Sequence, residues 1–365
     1  MRIRTPLALV VVLALAAGCS GGGDQAAPTA AGPSSAAAAS ASPTPTPTPA
    51  VVVDGADAAL TAAVAKVYAG KTGVEATATL GTWMKEKVAV VTSGDDVTLA
   101  VGPQWKVVGG WWPSLGKGTD LGRFPRFMLV MGSDARGSNL KGSRTDTLQI
   151  VGLDGRGGAG IVGIPRDLYV PLSTGGTSKI NAAFAYGGGS AEARTIENLS
   201  GIDLQGYVVT GFNGFRSIVD ESGGVPLVIE KAFTFLDLLK VKKGRQVADG
   251  GTALAYARER HAFPNGDFDR SRHQQEILIA GGVAARLAGP AILPKEMSIV
   301  SKYAQTDVDA ETALTFLAAF YRIDPAKVKH TVVPGAIGTS SDGQSIVKVT
   351  PATRAVFAGF RDARL

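Results

Sequence analysis

Residues 127–136 read F-M-L-V-M-G-S-D-A-R: five apolar residues, then Gly132 and Ser133, then an aspartate and an arginine. A short apolar run closed by Gly and Ser reads as a buried strand. Polar residues at strand ends collect where open α/β sheets bind their ligands. The same pattern recurs downstream. Thr147–Val151 and Ile161–Ile164 are strand-like, the first preceded by Arg144-Thr145-Asp146 and the second running into Pro165-Arg166-Asp167. Tyr207–Thr210, Val225–Ile229 and Thr331–Val333 are further strands. Helical periodicity marks Ala191–Leu199, Phe215–Glu221, Gly251–Arg258, Arg270–Ala288, Asp309–Tyr321 and Pro351–Phe360. This alternation predicts an α/β fold over residues 121–365, with a mixed central sheet carrying helices on both faces.

Asp134 and Asp146 sit beside two neighbouring strands. Two short carboxylates so placed can share one Mg²⁺, with phosphate oxygens and water completing its octahedron. Arg136, Arg144 and Arg166 lie close by in sequence, and Lys179 adds a further positive charge. Asn181, at the start of a helix, is expected to cap it. A second concentration of charge spans Tyr256–Gln275, where Arg258, Arg260, Arg270 and Arg272 surround Glu259, Asp267 and Asp269. Arginine keeps its charge and offers a planar fork to pairs of phosphate oxygens, so this stretch suits a pyrophosphate. Its alternative is a solvated helix face laced with ion pairs. Arg258 and Arg260 are two apart and would diverge on one helix, whereas Arg270 and Gln274 are four apart and share a face. With Pro264-Asn265-Gly266 between, a helix-loop-helix folded around one anion is expected.

The first 120 residues have a different character. Residues 1–19 combine Arg2 and Arg4 with the apolar run Pro6–Ala17 and end in Ala17-Gly18-Cys19, an export signal with a lipobox-like end. Cys19 is the candidate lipidation site, and cleavage after a small residue that leaves a free thiol is the alternative. Residues 20–50 are Gly/Ala/Ser-rich and then Pro-Thr repeats, an extended tether. Residues 51–120 read as a small accessory α+β domain: a helix over Ala58–Tyr68 and strands Val88–Thr92 and Val97–Val101 about a Ser93-Gly94-Asp95-Asp96 turn. It holds all four tryptophans, Trp83, Trp105, Trp111 and Trp112, as a core or a glycan platform.

Taken in order, Gly132–Arg136, Arg144–Thr147, Ile164–Asp167, Lys179–Ala183, Gly223–Val225, Ala255–Arg260 and Asp267-x-x-Arg270-x-x-x-Gln274 resemble the LytR-CpsA-Psr family of cell-wall glycopolymer transferases, from about Phe124 to the C-terminus. The resemblance implies a Mg²⁺-dependent phosphotransferase. It would move a glycopolymer from a polyprenyl-pyrophosphate carrier onto peptidoglycan through a phosphodiester bond, on the outer face of the bacterial cytoplasmic membrane. It places Asp134 and Asp146 at the metal and pyrophosphate, Arg166, Arg258, Arg260 and Arg270 on the phosphates with Gln274 hydrogen-bonded to the same group, and Asp267 orienting the arginines. His273 departs from the arginine common in the family and leaves one nearby group titratable. The carrier chain needs an apolar slot, for which the helix after Gln275 and the stretch Phe233–Leu239 are candidates.

The alternatives are a pyrophosphatase acting on the same carrier and a non-catalytic binder of lipid-linked precursors. Teichoic acid, arabinogalactan and capsular polysaccharide all fit as the polymer. A net charge of +6 over 365 residues is too mild to imply nucleic acid, and no DNA-reading motif is evident. A single cysteine excludes an intramolecular disulfide framework, and three histidines argue against a His-rich zinc centre.

Overall fold

The computed structural model describes residues 50–365; the export signal, Cys19 and the tether up to residue 49 lie outside them. The chain opens with β1 (Val51–Asp54), α1 (Ala58–Val67), β2 (Val74–Trp83), β3 (Glu86–Ser93), β4 (Asp96–Val101), β5 (Lys106–Trp112) and β6 (Lys117–Asp120). Then come β7 (Arg126–Ser133), β8 (Thr145–Leu153), β9 (Ala159–Gly163), β10 (Leu168–Pro171), β11 (Thr177–Lys179), α2 (Ala182–Ser200), β12 (Tyr207–Thr210) and α3 (Phe212–Glu221). Next are β13 (Val225–Ile229), β14 (Phe233–Phe235), β15 (Leu239–Val241), β16 (Gly244–Ala248), α4 (Gly250–Arg258) and α5 (Asp267–Ala288). The chain closes with α6 (Leu293–Tyr303), β17 (Ala304–Thr306), α7 (Ala310–Tyr321), β18 (Val328–Val332), β19 (Ala336–Thr339), β20 (Ser345–Lys348) and α8 (Pro351–Gly359).

The central sheet runs β17-β12-β7-β8-β9-β18 and is mixed: β12 is parallel to β7 and β18 to β9, while β8 is antiparallel to both its neighbours. One face buries Leu129, Leu148, Ile150 and Val162 against α2 and α8. The other buries Met128, Val151 and Ile161 against α6 and α7. The expected α/β/α arrangement is therefore the one observed.

The β1–β6 sheet lies beyond α6 and α7 and is apolar on both faces. Period-2 alternation sends Val88 and Val90 to the side shared with α6 and α7, and Ala89 and Val91 to the side covered by α1. The tryptophans split the same way, Trp83 and Trp111 inward and Trp105 and Trp112 toward α1, all at most 8% exposed. The Trp83 indole donates to the Val308 carbonyl at 2.7 Å, and the Ser298 and Ser301 hydroxyls accept from the Thr82 and Met84 amides. Gly81 lets β2 press on α6; a Cβ there would lie 2.2 Å from the Pro294 carbonyl oxygen.

One local expectation fails. Asn181 stands at the N-cap of α2, but it has helical φ/ψ and its side chain makes no capping bond. Its amide oxygen is buried without a partner. The free amide of the first turn, at Phe184, donates instead to Glu192 at 2.8 Å. Glu192 comes back from the next turns because α2 breaks at Gly188, whose φ of 68° interrupts the helix. A local capping preference has been overruled by a carboxyl eight residues on.

Glu192 is fully buried with the Thr145 hydroxyl alongside, and burial pushes its pKa from 4.5 up to about 8. The folded state thus keeps a proton that the unfolded chain loses above 4.5. Its contribution is fully present below pH 4.5 and falls away as pH rises toward 8, by about 1.4 kcal/mol per pH unit at most. Glu192→Gln keeps the acceptor and removes the titration. Urea unfolding should find it close to wild type at pH 4.5 and more stable by pH 8; parallel pH profiles would refute the assignment.

Candidate active site

β7, β9 and β12 point the same way, so their C-terminal ends and the start of β8 meet at one end of the sheet. Asp134 follows β7, Asp146 begins β8, Arg166 follows β9 and Phe212 follows β12. Asp134 lies opposite Arg144, whose carbonyl accepts from its amide at 3.0 Å, and Asp146 is the residue left over where the β7–β8 register shifts between Gly132 and Ser133. Asp134 Oδ1 accepts from the Arg144 amide at 3.0 Å, and Asp146 Oδ1 accepts from Arg166 Nη1 at 2.6 Å. Neither second carboxylate oxygen has a hydrogen bond among the described residues. Two carboxylates with a free oxygen each, at the same end of the sheet, fit a hard cation that takes its other ligands from water or substrate. No group of three or more His, Cys, Asp or Glu able to cage a metal exists among the described residues.

The stretch 256–275 closes over this end of the sheet as helix-loop-helix. α4 ends at Arg258, Glu259 is extended, and α5 begins at Asp267. Its acids divide into two roles. Glu259 Oε1 accepts from the His261 and Ala262 amides at 2.6 and 2.9 Å, and Asp269 accepts from the Asn265 amide at 2.9 Å, so these two shape the loop. Asp267 lies among the arginines, 3.5 Å from Arg270, 3.6 Å from Arg166 and 3.9 Å from Arg260. Such lengths leave the guanidinium donors largely unspent: Arg166 Nε and Arg270 Nε are buried with no hydrogen-bond partner. Burial works against the charge of Arg270, with Asp267 the main support for it.

Arg258 is the least compensated. It makes no ion pair among the described residues. Its guanidinium lies between two aromatic rings, 4.1 Å from the centroid of Phe212 and 5.3 Å from that of Phe235. Burial lowers its pKa; Asp146 and Asp134 act at longer range to sustain the charge and Arg136 opposes it.

The other expected residues are arranged less directly. Arg136 and Arg144 have exposed side chains without ion pairs among the described residues. Lys179 pairs with Asp167 at 2.8 Å, and Asp167 also faces Arg166 at 3.7 Å. Gln274 lines the cavity and is hydrogen-bonded within the protein, donating to the Ala257 carbonyl at 3.0 Å and accepting from Gln149 at 3.2 Å. Arg272 lies apart and pairs with Glu230 and Glu276. His273 is fully buried, stacked on Tyr256 at 4.0 Å and edge-on to Phe263 at 4.4 Å. Burial, then the Arg272 charge, hold its pKa below the ordinary imidazole range, so it packs as a neutral ring.

Sequence reasoning missed Phe212 and Phe235, which flank Arg258. It also missed the buried amide chain beneath the site. Gln149 donates to Ser271 at 3.0 Å and accepts from Gln275 at 3.1 Å, and Gln275 donates to the Thr331 carbonyl at 2.7 Å, tying the start of α5 to β8 and β18. Isolated Phe and Gln residues carry no sequence signal for such roles.

Behind the charged cluster lies an apolar cavity of about 1280 Å³ between the central sheet and helices α3, α5, α6 and α7. Arg166, Arg258, Arg260 and Arg270 line one part of it, and Ile277, Leu278, Gly281, Gly282 and Ala285 of α5 line another. Both stretches named as candidate slot walls contribute, and Trp83 of the β1–β6 sheet reaches it too.

The LytR_cpsA_psr family model matches residues 120–356. TagV of Bacillus subtilis (strain 168), named a polyisoprenyl-teichoic acid–peptidoglycan teichoic acid transferase, is 31% identical over 239 residues, covering 62% of this chain and 58% of TagV. MsrR of Staphylococcus aureus (strain COL), named a regulatory protein, is 31% identical over 229 residues, covering 60% of this chain and 69% of MsrR. The crystal structure of B. subtilis TagV matches with a TM-score of 0.57 at 26% identity, covering 67% of this chain and 100% of that one. A structure of TagT bound to LIIa-WTA matches with a TM-score of 0.57 at 23% identity, over 68% of this chain and 94% of that one, a likeness of fold alone. With the family model spanning more than half its length, the chain belongs to the LytR_cpsA_psr family.

Proposed function

We propose that the protein is a membrane-anchored, extracytoplasmic phosphotransferase that moves a glycopolymer from a polyprenyl-pyrophosphate carrier to peptidoglycan, forming a phosphodiester. The observation that carries this is the junction of an apolar cavity with arginines that lack full partners. A ligand filling both must be anionic at one end and long and apolar at the other. TagV, named a teichoic acid transferase, supports the reading by kinship.

The chain's own residues supply most of the chemistry. Arg258, Arg166 and Arg270 bind the pyrophosphate, and Asp267 spaces the guanidinium groups around it. A hydroxyl oxygen of a peptidoglycan sugar attacks the glycan-linked phosphorus. That P–O bond forms as the bridging P–O bond breaks, and the charge left on the departing polyprenyl phosphate is taken up by the arginines. Asp134 is exposed and accepts the hydroxyl proton. Asp134 and Asp146 would hold Mg²⁺, which when bound neutralises charge on the phosphate oxygens. The products of this displacement are the carrier polyprenyl phosphate and the phosphodiester-linked glycan.

Incubation with Mg²⁺, lipid-linked glycan and peptidoglycan should give phosphodiester-linked adduct together with polyprenyl phosphate. Arg258→Ala should lower kcat/KM by about a hundredfold, the scale of one lost charge-stabilising group. Glycan phosphate released without adduct would instead indicate a hydrolase. Gly281 tests the cavity separately. It lines the apolar wall and has open space where a side chain would go. Gly281→Leu should raise helix stability by about 0.8 kcal/mol, exclude long-chain carriers and spare short-chain analogues. Equal loss for both chain lengths would count against the cavity as the isoprenoid slot.

A further inference from the structure

We infer that the β14–β15 hairpin docks the protein on an anionic lipid bilayer at the mouth of the cavity. The hairpin pairs Phe233 with Val241 and Phe235 with Leu239, leaving Leu236, Asp237 and Leu238 as its turn. Leu236 is 66% exposed, Leu238 87% and Leu239 36%. Leu236 and Asp237 have φ of 50° and 56°, left-handed positions that Asn or Gly would occupy at far lower cost. The backbone of the turn thus gives no reason for leucine, and the core does not use it.

The base of the hairpin is fixed firmly. Phe233 is buried, stacked 6.4 Å from Tyr256 and edge-on 6.0 Å from Phe263, while Phe235 lies against Arg258. The exposed leucines therefore project from a rigid mount at the candidate site. On and beside the hairpin in sequence, Lys231, Lys240, Lys242, Lys243 and Arg245 are all exposed, and none forms an ion pair among the described residues. The same stretch, 230–245, holds only two acids, Glu230 and Asp237, and Glu230 is engaged by Arg272. The outer face of the adjoining β13–β16 pair adds Val228 and Val247, 61% and 70% exposed. An apolar tip whose flanking chain carries unpaired cations is the pattern that enters the headgroup–acyl boundary of an anionic membrane. These cations select lipid over an apolar protein partner. Phe233, Phe235 and Leu236 also line the cavity, so a docked tip would open that cavity toward the acyl chains. That last point rests on the transferase reading; the docking itself does not.

The test uses the full chain with Cys19→Ser, which removes any lipid attachment there and leaves Leu238→Cys as the single thiol for an environment-sensitive fluorophore. A matched chain carries the label at Asp342→Cys, an exposed turn position between β19 and β20. With vesicles of mixed phosphatidylcholine and phosphatidylglycerol, emission at 238 should shift to the blue and brighten several-fold. The response should weaken with pure phosphatidylcholine or high salt, vanish with Leu236→Asp, and be absent at 342. A label at 238 that stays water-like with these vesicles overturns the inference, whether or not the chain floats with them. So does an equal shift at both positions. A shift that follows protein concentration without vesicles would assign the tip to self-association and also overturns it. No carrier or peptidoglycan is present, so failure here is separable from failure of transfer.

Discussion

A guanidinium group cannot shed its charge on burial as a lysine can, so arginines packed at the end of an apolar cavity need an anion to complete them. Arg258 is held between two aromatic rings without a carboxylate, and Arg270 has one distant acid and a donor with no partner. Asp267 keeps these groups apart as much as it neutralises them. The rest of the architecture can be understood as holding that uncompensated charge in place. The parallel ends of β7, β9 and β12 bring Asp134, Arg166 and Phe212 together, and the Gln149–Gln275 chain fixes the start of α5 over them. On the far side, α6 and α7 keep the cavity walls apart because the β1–β6 sheet grips them from outside, through Trp83, Ser298 and Ser301.

Much of this was legible in the sequence because its signals are local. Apolar runs closed by Gly, Ser or Pro marked β7, β8 and β9 and the charged residues at their ends. The spacing of Arg258 and Arg260, with Pro264-Asn265-Gly266 after them, foretold the break between α4 and α5. What stayed hidden depends on contacts between distant segments. The cap of α2 comes from Glu192 and not Asn181, since only the bend at Gly188 brings Glu192 back. The bonds that hold the Gln274 amide at the cavity wall, to Ala257 and Gln149, join segments far apart in sequence. The aromatic partners of Arg258 come from the ends of β12 and β14, and nothing in their spacing ties them to it. The stretch Phe233–Leu239 read as one apolar wall. The turn that follows Phe235 divides it instead: Phe233, Phe235 and Leu236 line the cavity, while Leu238 and Leu239 lie outside its lining.

That division joins the two proposals. A carrier with an isoprenoid tail has to leave a bilayer to reach an apolar cavity, and water between the two opposes the transfer. A hairpin whose base stacks on Arg258 and whose tip is apolar and flanked in sequence by lysine would shorten that passage.

The most direct measurement is a crystal structure of the protein with a polyprenyl pyrophosphate and Mg²⁺. The expected result is a pyrophosphate within hydrogen-bonding distance of Arg166, Arg258 and Arg270, with the isoprenoid chain running into the cavity between α3, α5 and α6. Phosphates bound away from these arginines, or a chain lying outside an unfilled cavity, would contradict it.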